Sequence, residues 1–488
     1  LLRTVNTDKD SKRKRDVIKK VIAYMTLGID VSRLFSDMVL ASNTKDVVVK
    51  KMVYLFLCNY AASNADLTLL AINTLQTDCR DEDPMVRGLA LRSLCSLRLD
   101  SVIEYVMTPL QNSLSDTSAY VRATGVIGIL KVYHLSPEII KESDLVDKIY
   151  DMIRDRDAQV VANCILTLNE VLAEEGGIAV NQAIIHHVLN RIRDFNEWGQ
   201  CTVLGLVARY RPETQDELFG IMNLLDVCLK VSNSAVVLAA TKCFLSLTAA
   251  LPDIRTQVFI RLKTPLLTLM SSATSEIAYC VLGHVLMLVK RCPGVFDDEF
   301  KQFFCRYHEP TCVKHIKMDV LPFVANEENL GEVVAELVEY VSDVDADMAR
   351  HAIRSIAQIA VRLQAAADRV TASLLELLDL DVDYVKAETV VVMRDLLRKY
   401  PHRAVEVIPT LHRCLNSIEE ADGKAAVVWM IGEFGELIDE GPYLLETLID
   451  DLDESDTPLV VRLELLASTT KLFFKRPPEV QKMLGRLL

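Results

Sequence analysis

A short pattern recurs twelve times along this 488-residue chain, at intervals of 35 to 40 residues. Each copy has a small or acidic residue, a helix-starting break, and an apolar residue that opens a run with spacings of three and four. Clear copies are DEDPMVRGLALRSL and VSDVDADMARHAIRSI. Such a chain is predicted to stack similar units instead of enclosing one core. The residues that open the predicted second helices are Val49, Val86, Val121, Val160, Gly199, Val237, Ile277, Val313, Met348, Tyr384, Lys424 and Val460.

Helix-start signals accompany the repeat. Aspartate or serine stands five and three positions before the opening residue, as with Asp81 and Asp83 or with Ser232 and Ser234. These side-chain oxygens can accept hydrogen bonds from the unpaired amides of a helix start. Periods near 40 residues with paired helices are typical of HEAT and armadillo arrays. We therefore predict an all-α, HEAT/armadillo-type right-handed superhelical solenoid of about 12–13 helix-pair repeats, as a single domain over residues 1–488.

Composition and charge indicate which kinds of partner and which cellular compartment suit this chain. The net charge of −14 disfavours wrapping of nucleic acid, which requires a cationic surface, so no nucleic-acid partner is expected. The longest run without charge, residues 176–190, is shorter than the ~20 residues of a membrane helix. The chain starts without Met and stops inside a helical pattern, which suggests a fragment. The twelve cysteines show no paired spacing, and several lie on apolar helix faces, namely Cys58, Cys95, Cys164 and Cys243. We therefore expect them to be reduced core residues of a cytosolic protein.

Catalytic signatures are nearly missing from the sequence. It has no glycine-rich phosphate loop, GxSxG elbow or HExxH helix, and we expect neither an enzyme nor a cofactor. Zinc-accepting residue types occur in FFCRYHEPTCVKH, but their spacing is not a standard one and no metal site is predicted. Those residues are Cys305, His308, Cys312 and His315. Trp198 and Trp429 lie at repeat positions and are interpreted as packing residues.

A basic segment stands out at the start of this acidic chain. Seven basic residues against two aspartates fill KDSKRKRDVIKK, residues 9–20, within a predicted helix over about 9–26. A cluster of this size can hold anionic lipid headgroups, and the alternative is a solvated terminal helix. The candidate lipid contacts are Lys12, Arg13, Lys14, Arg15, Lys19 and Lys20.

The string DLTLLAINTL carries more apolar residues than one helix face needs. At about 100° per residue, Leu67, Leu70, Ala71 and Leu75 share one face, whereas Leu69 and Ile72 point to nearly the opposite side. The second pair predicts an exposed docking patch. The alternative is ordinary core, because solenoid helices are often covered on two sides by neighbouring repeats.

Several strings resemble the amino-terminal trunk of the beta-adaptins, the large beta subunits of heterotetrameric vesicle-coat adaptors. They include SKRKRDVIKKVIAYMTLGIDVSRLF, DLTLLAINTLQTDCRDEDPMVRGLALRSLCSLR, the EWGQ segment and KAAVVWMIGEFGE. The resemblance covers essentially the whole chain. EEGG, AIIHHVLNRI, GPYLLETLIDDL and QKMLGRLL are most similar to the beta subunit of adaptor protein complex four.

The resemblance implies a non-enzymatic scaffold in vesicle coat formation and cargo sorting. Implied partners are the medium (mu) subunit, cradled by the C-terminal half, the small (sigma) subunit and a second large adaptin. The basic segment matches a phosphoinositide-facing helix, and Leu69 and Ile72 match a contact with an ADP-ribosylation-factor-type GTPase. The implied location is the cytosolic face of trans-Golgi network or endosomal membranes, and no hinge or ear is expected in residues 1–488.

Two other functions use the same architecture. A coatomer-like coat subunit belongs to a different coat, and a HEAT-repeat transport receptor or scaffold works without a heterotetramer. Copurification of a medium-type subunit separates the adaptor from both.

Overall fold

The computed structural model describes residues 2, 4, 11–272, 274–380, 382–414, 418–450 and 458–487. Over these ranges the chain is helical, and no β-strand occurs in them. The chain divides into two compact units, Leu1–Ala250 and Leu251–Leu488. Each unit is a stack of helix pairs, so the predicted all-α helical-repeat solenoid is confirmed. One domain continuing through both units stays a prediction.

The described residues of the first unit form fourteen α-helices, joined by turns and short 3-10 segments. They are α1 (Ser11–Thr26), α2 (Phe35–Ala41), α3 (Val47–Tyr60), α4 (Ala65–Asp78), α5 (Pro84–Leu94), α6 (Ile103–Ser113), α7 (Ala119–Leu135), α8 (Pro137–Lys141), α9 (Leu145–Asp151), α10 (Ala158–Val171), α11 (Gln182–Asn190), α12 (Glu197–Val207), α13 (Gln215–Leu225) and α14 (Ser234–Leu247).

The second unit has twelve α-helices in its described part and a seven-residue 3-10 helix, Asp297–Phe303. The α-helices are α15 (Pro252–Ser272), α16 (Ser275–Arg291), α17 (Thr311–Val324), α18 (Leu330–Val341), α19 (Ala346–Arg362), α20 (Ala367–Leu378), α21 (Asp383–Lys399), α22 (Ala404–Cys414), α23 (Ala421–Phe434), α24 (Gly441–Asp450), α25 (Leu459–Lys475) and α26 (Pro477–Leu487).

The sequence repeat coincides with the second helix of each pair. Every opening residue lies at the second, third or fourth position of a helix. These helices form the continuous layer of each unit: α5 packs on α7 and α7 on α10, as α21 packs on α23 and α23 on α25. At four repeats the buried position lies one residue later than predicted, at Ala278, Val385, Ala425 and Val461 instead of Ile277, Tyr384, Lys424 and Val460.

The predicted caps occur, with one shift. Asp83 accepts a hydrogen bond from the Met85 amide at 2.9 Å, at the start of α5. At α14 the cap is Asn233, which accepts from the Ala235 amide at 3.0 Å, and not Ser232 or Ser234 as predicted. Asparagine caps as well as serine does, because its amide oxygen reaches the same free amides.

Charged pairs tie the turn of one repeat to the next. Arg87 donates two hydrogen bonds to the Asp116 carboxylate, both 2.9 Å long. Arg122 donates to Asp155 at 2.7 and 2.9 Å, and also to the carbonyl of Asp116 at 2.9 Å. Each arginine stands one residue after an opening position, and its partner lies in the following repeat. We call Arg87–Asp116 and Arg122–Asp155 the aspartate ladder.

No single helix of the described residues is both long and apolar enough to cross a membrane. Residues 47–60 and 62–78 pass that test only as a pair, and the pair is bent by 77°.

Candidate membrane and partner surfaces

The basic segment forms helix α1, which begins at Ser11 in the described residues and ends at Thr26 as predicted. Ile18 and Val21 bury its inner side against the first unit. The side chains of four of the six candidate lipid contacts are exposed to solvent, namely those of Lys12, Arg13, Lys19 and Lys20.

The other two candidates are partly withdrawn from solvent. Arg15 donates through Nε at 3.1 Å and through Nη2 at 2.6 Å to Oδ2 of Asp46. Asp46 is also the cap of α3, where it accepts from the amides of Val48 and Val49. Burial acts to raise the pKa of Asp46, but the Arg15 hydrogen bond and these amides outweigh it and hold the pKa below its usual value. Arg15 therefore anchors α1 at the start of α3.

Lys14 is half-buried, and burial lowers the pKa of its ammonium group. Its charge is thus less available to a membrane than the charges of the exposed lysines. The structure leaves a compact exposed group on α1, consisting of Lys12, Arg13, Lys19 and Lys20.

Helix α4 carries the predicted docking pair, and its observed orientation corrects half of that prediction. Leu69 is 43% exposed, as expected, but Ile72 is only 2% exposed. Leu70, assigned to the core face from the pattern, is 63% exposed. The expectation that Ile72 points outward is therefore wrong, and the exposed apolar pair on this helix is Leu69 with Leu70.

A buried polar cluster joins the end of α4 to α3. Asp78, at the end of α4, accepts hydrogen bonds from Lys50 Nζ and from the hydroxyl of Tyr54, both on α3. All three side chains are buried, and burial together with the neighbouring Asp78 raises the pKa of Tyr54. Thr68, Ala71, Ile72 and Leu75 are buried together with Asp78. Because α4 packs on α2, α5 and α6, its buried side is wider than the predicted stripe and includes Ile72.

The two tryptophans, both interpreted from the sequence as packing residues, differ in exposure. Trp198, at the second position of α12, is 84% exposed, so its interpretation as a packing residue is wrong. Trp429 is buried in α23, as that interpretation requires.

The Cys/His string is divided between a turn and helix α17. Cys305 Sγ donates to the carbonyl of Lys314 at 3.6 Å, and the His315 ring stacks on His351 with centroids 4.6 Å apart. Nowhere in the described ranges do three such side chains lie close enough to hold a metal ion.

The C-terminal part of the second unit exposes a row of apolar side chains. Helix α25 buries Val461, Leu465 and Leu472 on the side that packs on α23. The opposite side is apolar too, and its exposed residues are Leu459, Val460, Leu463, Leu466 and Phe474. Contiguous exposed apolar surface of this kind marks an interaction site.

Stacked helix pairs with exposed apolar and basic surfaces define this chain as a helical-repeat scaffold protein. A family model, described as the adaptin N terminal region, matches residues 1–488. The chain belongs to the adaptin family, among the beta-adaptins.

Curated relatives agree with this assignment. The chain is 46% identical to beta-adaptin-like protein A of Arabidopsis thaliana, over 97% of this chain and 58% of that protein. It is 43% identical to the AP-4 complex subunit beta-1 of Mus musculus, over 98% and 64% of the two chains. For the mouse AP-1 complex subunit beta-1 the identity is 36%, over 99% and 52%. The greater similarity to the AP-4 subunit agrees with the expectation from the short strings.

These shares mean that the chain spans between about half and just under two thirds of the length of those relatives. Among solved structures, a homology model of the full-length AP-3 complex in an intermediate open conformation contains a similar chain. The match has a TM-score of 0.67 at 20% identity, and it covers 100% of this chain and 89% of that one. It supports the fold.

Proposed function

We propose that this chain is the trunk of a large, non-enzymatic subunit in a heterotetrameric adaptor complex that forms vesicle coats and sorts cargo. The observation that carries the proposal is the similarity to the AP-4 complex subunit beta-1 along 98% of the chain. The proposed location is the cytosolic face of the trans-Golgi network or endosomes.

The exposed apolar row on α25 supports assembly with other subunits. Leu459, Leu463 and Leu466 are spaced four and three residues apart, so they form one stripe along the helix. Burying apolar surface contributes roughly 25 cal/mol per Å², and an unpartnered stripe of leucines forgoes that stabilisation. We propose that the second unit presents this stripe to the medium subunit and the second large subunit.

Coexpression with candidate medium, small and second large subunits tests the assembly. The wild-type chain is expected to elute with them as one species in gel filtration. Leu463→Asp with Leu466→Asp should leave the chain helical by circular dichroism but remove the partners, because charges in an apolar contact lose its burial. Val344→Asp is the matched control, since Val344 is exposed in a turn of the same unit. A complete tetramer with the double variant would contradict the role of α25.

Two membrane-side contacts complete the proposal. The exposed cations of α1 are suited to an acidic phosphoinositide surface, each basic residue contributing roughly 1 kcal/mol near an anionic leaflet. Leu69 is proposed as the contact for an ADP-ribosylation-factor-type GTPase, with Leu70 in place of the buried Ile72. Both contacts lie on the first unit, on α1 and α4.

A further inference from the structure

A cavity of the first unit lies beside the C-terminal ends of α3 and α7 and the turn that follows α5. Its volume is about 830 Å³, and residues of α3, of α7 and of the turn after α5 line it. A second cavity of about 280 Å³ follows along α7, lined by Tyr120, Ile127 and Arg92 among others. Lys131 lines both cavities. We call the two together the Lys131 groove.

Three cations face this groove. Lys131 Nζ donates to Ser96 Oγ at 2.6 Å, while Arg92 and Arg98 expose their guanidinium groups. Through the described part of the chain, none of the three forms an ion pair with a carboxylate. Burial lowers the pKa of the half-buried Lys131, and the nearby Arg92 and Arg98 act in the same direction. His134 at the rim is different, because it pairs with Glu170 at 2.9 Å.

The backbone at Arg98 is unusual. Its φ of 51° makes it the one described non-glycine residue with a positive φ. A side chain in this left-handed region costs roughly 1 kcal/mol or more, and glycine would avoid that cost. Arginine at this position places a charge beside the groove at the expense of stability.

The walls of the groove are apolar. Leu97 is buried beneath it, and Leu55 and Leu135 line its larger part. Lone cations beside leucine side chains suit an occupant that carries both a carboxylate and an apolar group. The groove continues past Lys131 along α7, which suits an extended chain better than a compact lipid headgroup.

We propose that the Lys131 groove binds an extended acidic peptide, with glutamate or aspartate at Lys131 and Arg98 and a leucine-sized side chain against Leu55 and Leu97. The chain has a net charge of −14, so an unneutralised cationic groove within it is a local exception that an acidic partner complements. This binding does not depend on assembly with other adaptor subunits.

Fluorescence anisotropy with synthetic peptides tests the proposal. The probes are fluorescein-labelled decapeptides with two adjacent glutamates and one leucine, the leucine placed at different distances from the glutamates. Saturable binding to the full 488-residue chain is expected for at least one spacing. Replacing the glutamates by glutamine, or the leucine by serine, should remove most of it.

Variants locate the site. Lys131→Met keeps the length of the side chain and should weaken binding about tenfold, as expected for one charge-assisted hydrogen bond. Arg98→Gly should weaken binding similarly while leaving the thermal unfolding midpoint equal or higher, since glycine accepts the positive φ. Lys242→Met, at an exposed lysine on α14, is the control and should bind as the wild type does.

Three results would overturn the proposal. The first is no saturable peptide binding by the wild-type chain, and the second is binding by the Lys131→Met and Arg98→Gly variants that equals binding by the wild type. The third is binding of the glutamine peptides that equals binding of the glutamate peptides. Sedimentation with phosphatidylserine vesicles distinguishes a lipid site. The Lys131→Met and Arg98→Gly variants should bind vesicles as the wild type does. If the variants lose vesicle binding and the wild-type chain binds no peptide, the groove is a lipid site instead.

Discussion

Leu69 and Ile72 on α4 lie three residues apart, yet one side chain is half exposed and the other is buried. Helix α4 packs on α2, α5 and α6, and its buried side therefore includes Ile72 as well as Ala71 and Leu75. At the scale of single residues, packing against neighbouring helices thus determines which apolar side chains remain available to a partner.

Substitutions on α4 separate surface from core. Leu69→Asp with Leu70→Asp should change the free energy of unfolding by only about 0.5 kcal/mol and abolish GTPase-dependent recruitment to membranes. Ile72→Asp should destabilise the chain by roughly 3–5 kcal/mol, because it buries an unpaired charge. Urea unfolding followed by circular dichroism measures both effects, and liposome recruitment with a GTP-loaded GTPase measures the first.

The matched control is Leu166→Asp, which changes an exposed leucine on α10 of the same unit. It should retain both stability and recruitment. Normal recruitment of the Leu69/Leu70 variant would exclude the GTPase contact at this place.

At the scale of elements, α1 combines an anchor with an exposed cationic face. Arg15 holds the helix on Asp46, whereas Lys12, Arg13, Lys19 and Lys20 are exposed. The pattern of charges alone does not separate these roles, since all five residues are basic.

Replacing Lys12, Arg13, Lys19 and Lys20 by glutamine should weaken binding to anionic vesicles by about 1 kcal/mol per residue, and less at high salt. Vesicle sedimentation at low salt measures this. The charge-matched control replaces Arg154, Arg156, Arg193 and Lys242, which are exposed elsewhere on the first unit. Equal losses in the two variants would show a general charge effect and would remove the specific role of α1.

Close packing between second helices also belongs to this scale. Helices α23 and α25 approach so closely at Gly432 that a Cβ atom there would lie 2.7 Å from Cα of Ser468. Backbone cannot move aside as a side-chain end can, so Gly432→Ala should cost roughly 1–3 kcal/mol. The thermal unfolding midpoint tests this, with Gly220→Ala on α13 as control because open space surrounds that position. Equal midpoints for the two variants would contradict the tight contact.

At the scale of the whole molecule, the aspartate ladder links successive repeats and makes stability depend on pH. Burial acts to raise the pKa values of Asp116 and Asp155, but hydrogen bonds from Arg87 and Arg122 and from backbone amides hold them below the usual value. A carboxylate with a lowered folded-state pKa contributes stability that is fully present above its unfolded pKa of about 3.9. That contribution is lost as the pH falls through the lower folded-state values.

The free energy of unfolding should therefore decrease below about pH 4, and Arg122→Ala should reduce it at neutral pH. Because the variant already lacks the arginine partner of Asp155, the difference between variant and wild type should narrow at about pH 3. Urea unfolding at a series of pH values measures both chains. A difference that stays constant with pH would contradict the ladder's contribution.

The repeat, its period and the helical class could be predicted from the sequence, because the spacing of apolar residues and the helix caps are local properties. Strings such as EWGQ and KAAVVWMIGEFGE also sufficed to predict the family, which the family match confirms. The exact positions of caps and of the first core residue in a repeat were predicted less well. The cap at Asn233 and the core residue Val461 each lie one residue from the expected position.

Only the tertiary structure decided which side chains are surface. Ile72, Leu70 and Trp198 all differ from the pattern, because a helix in a stack is covered by neighbours whose directions no local period encodes. The Lys131 groove likewise joins side chains from separate repeats. The chain's own sequence thus determined its helices and their stacking order, whereas packing between repeats determined the faces left for partners, since burial depends on contacts between residues distant in sequence.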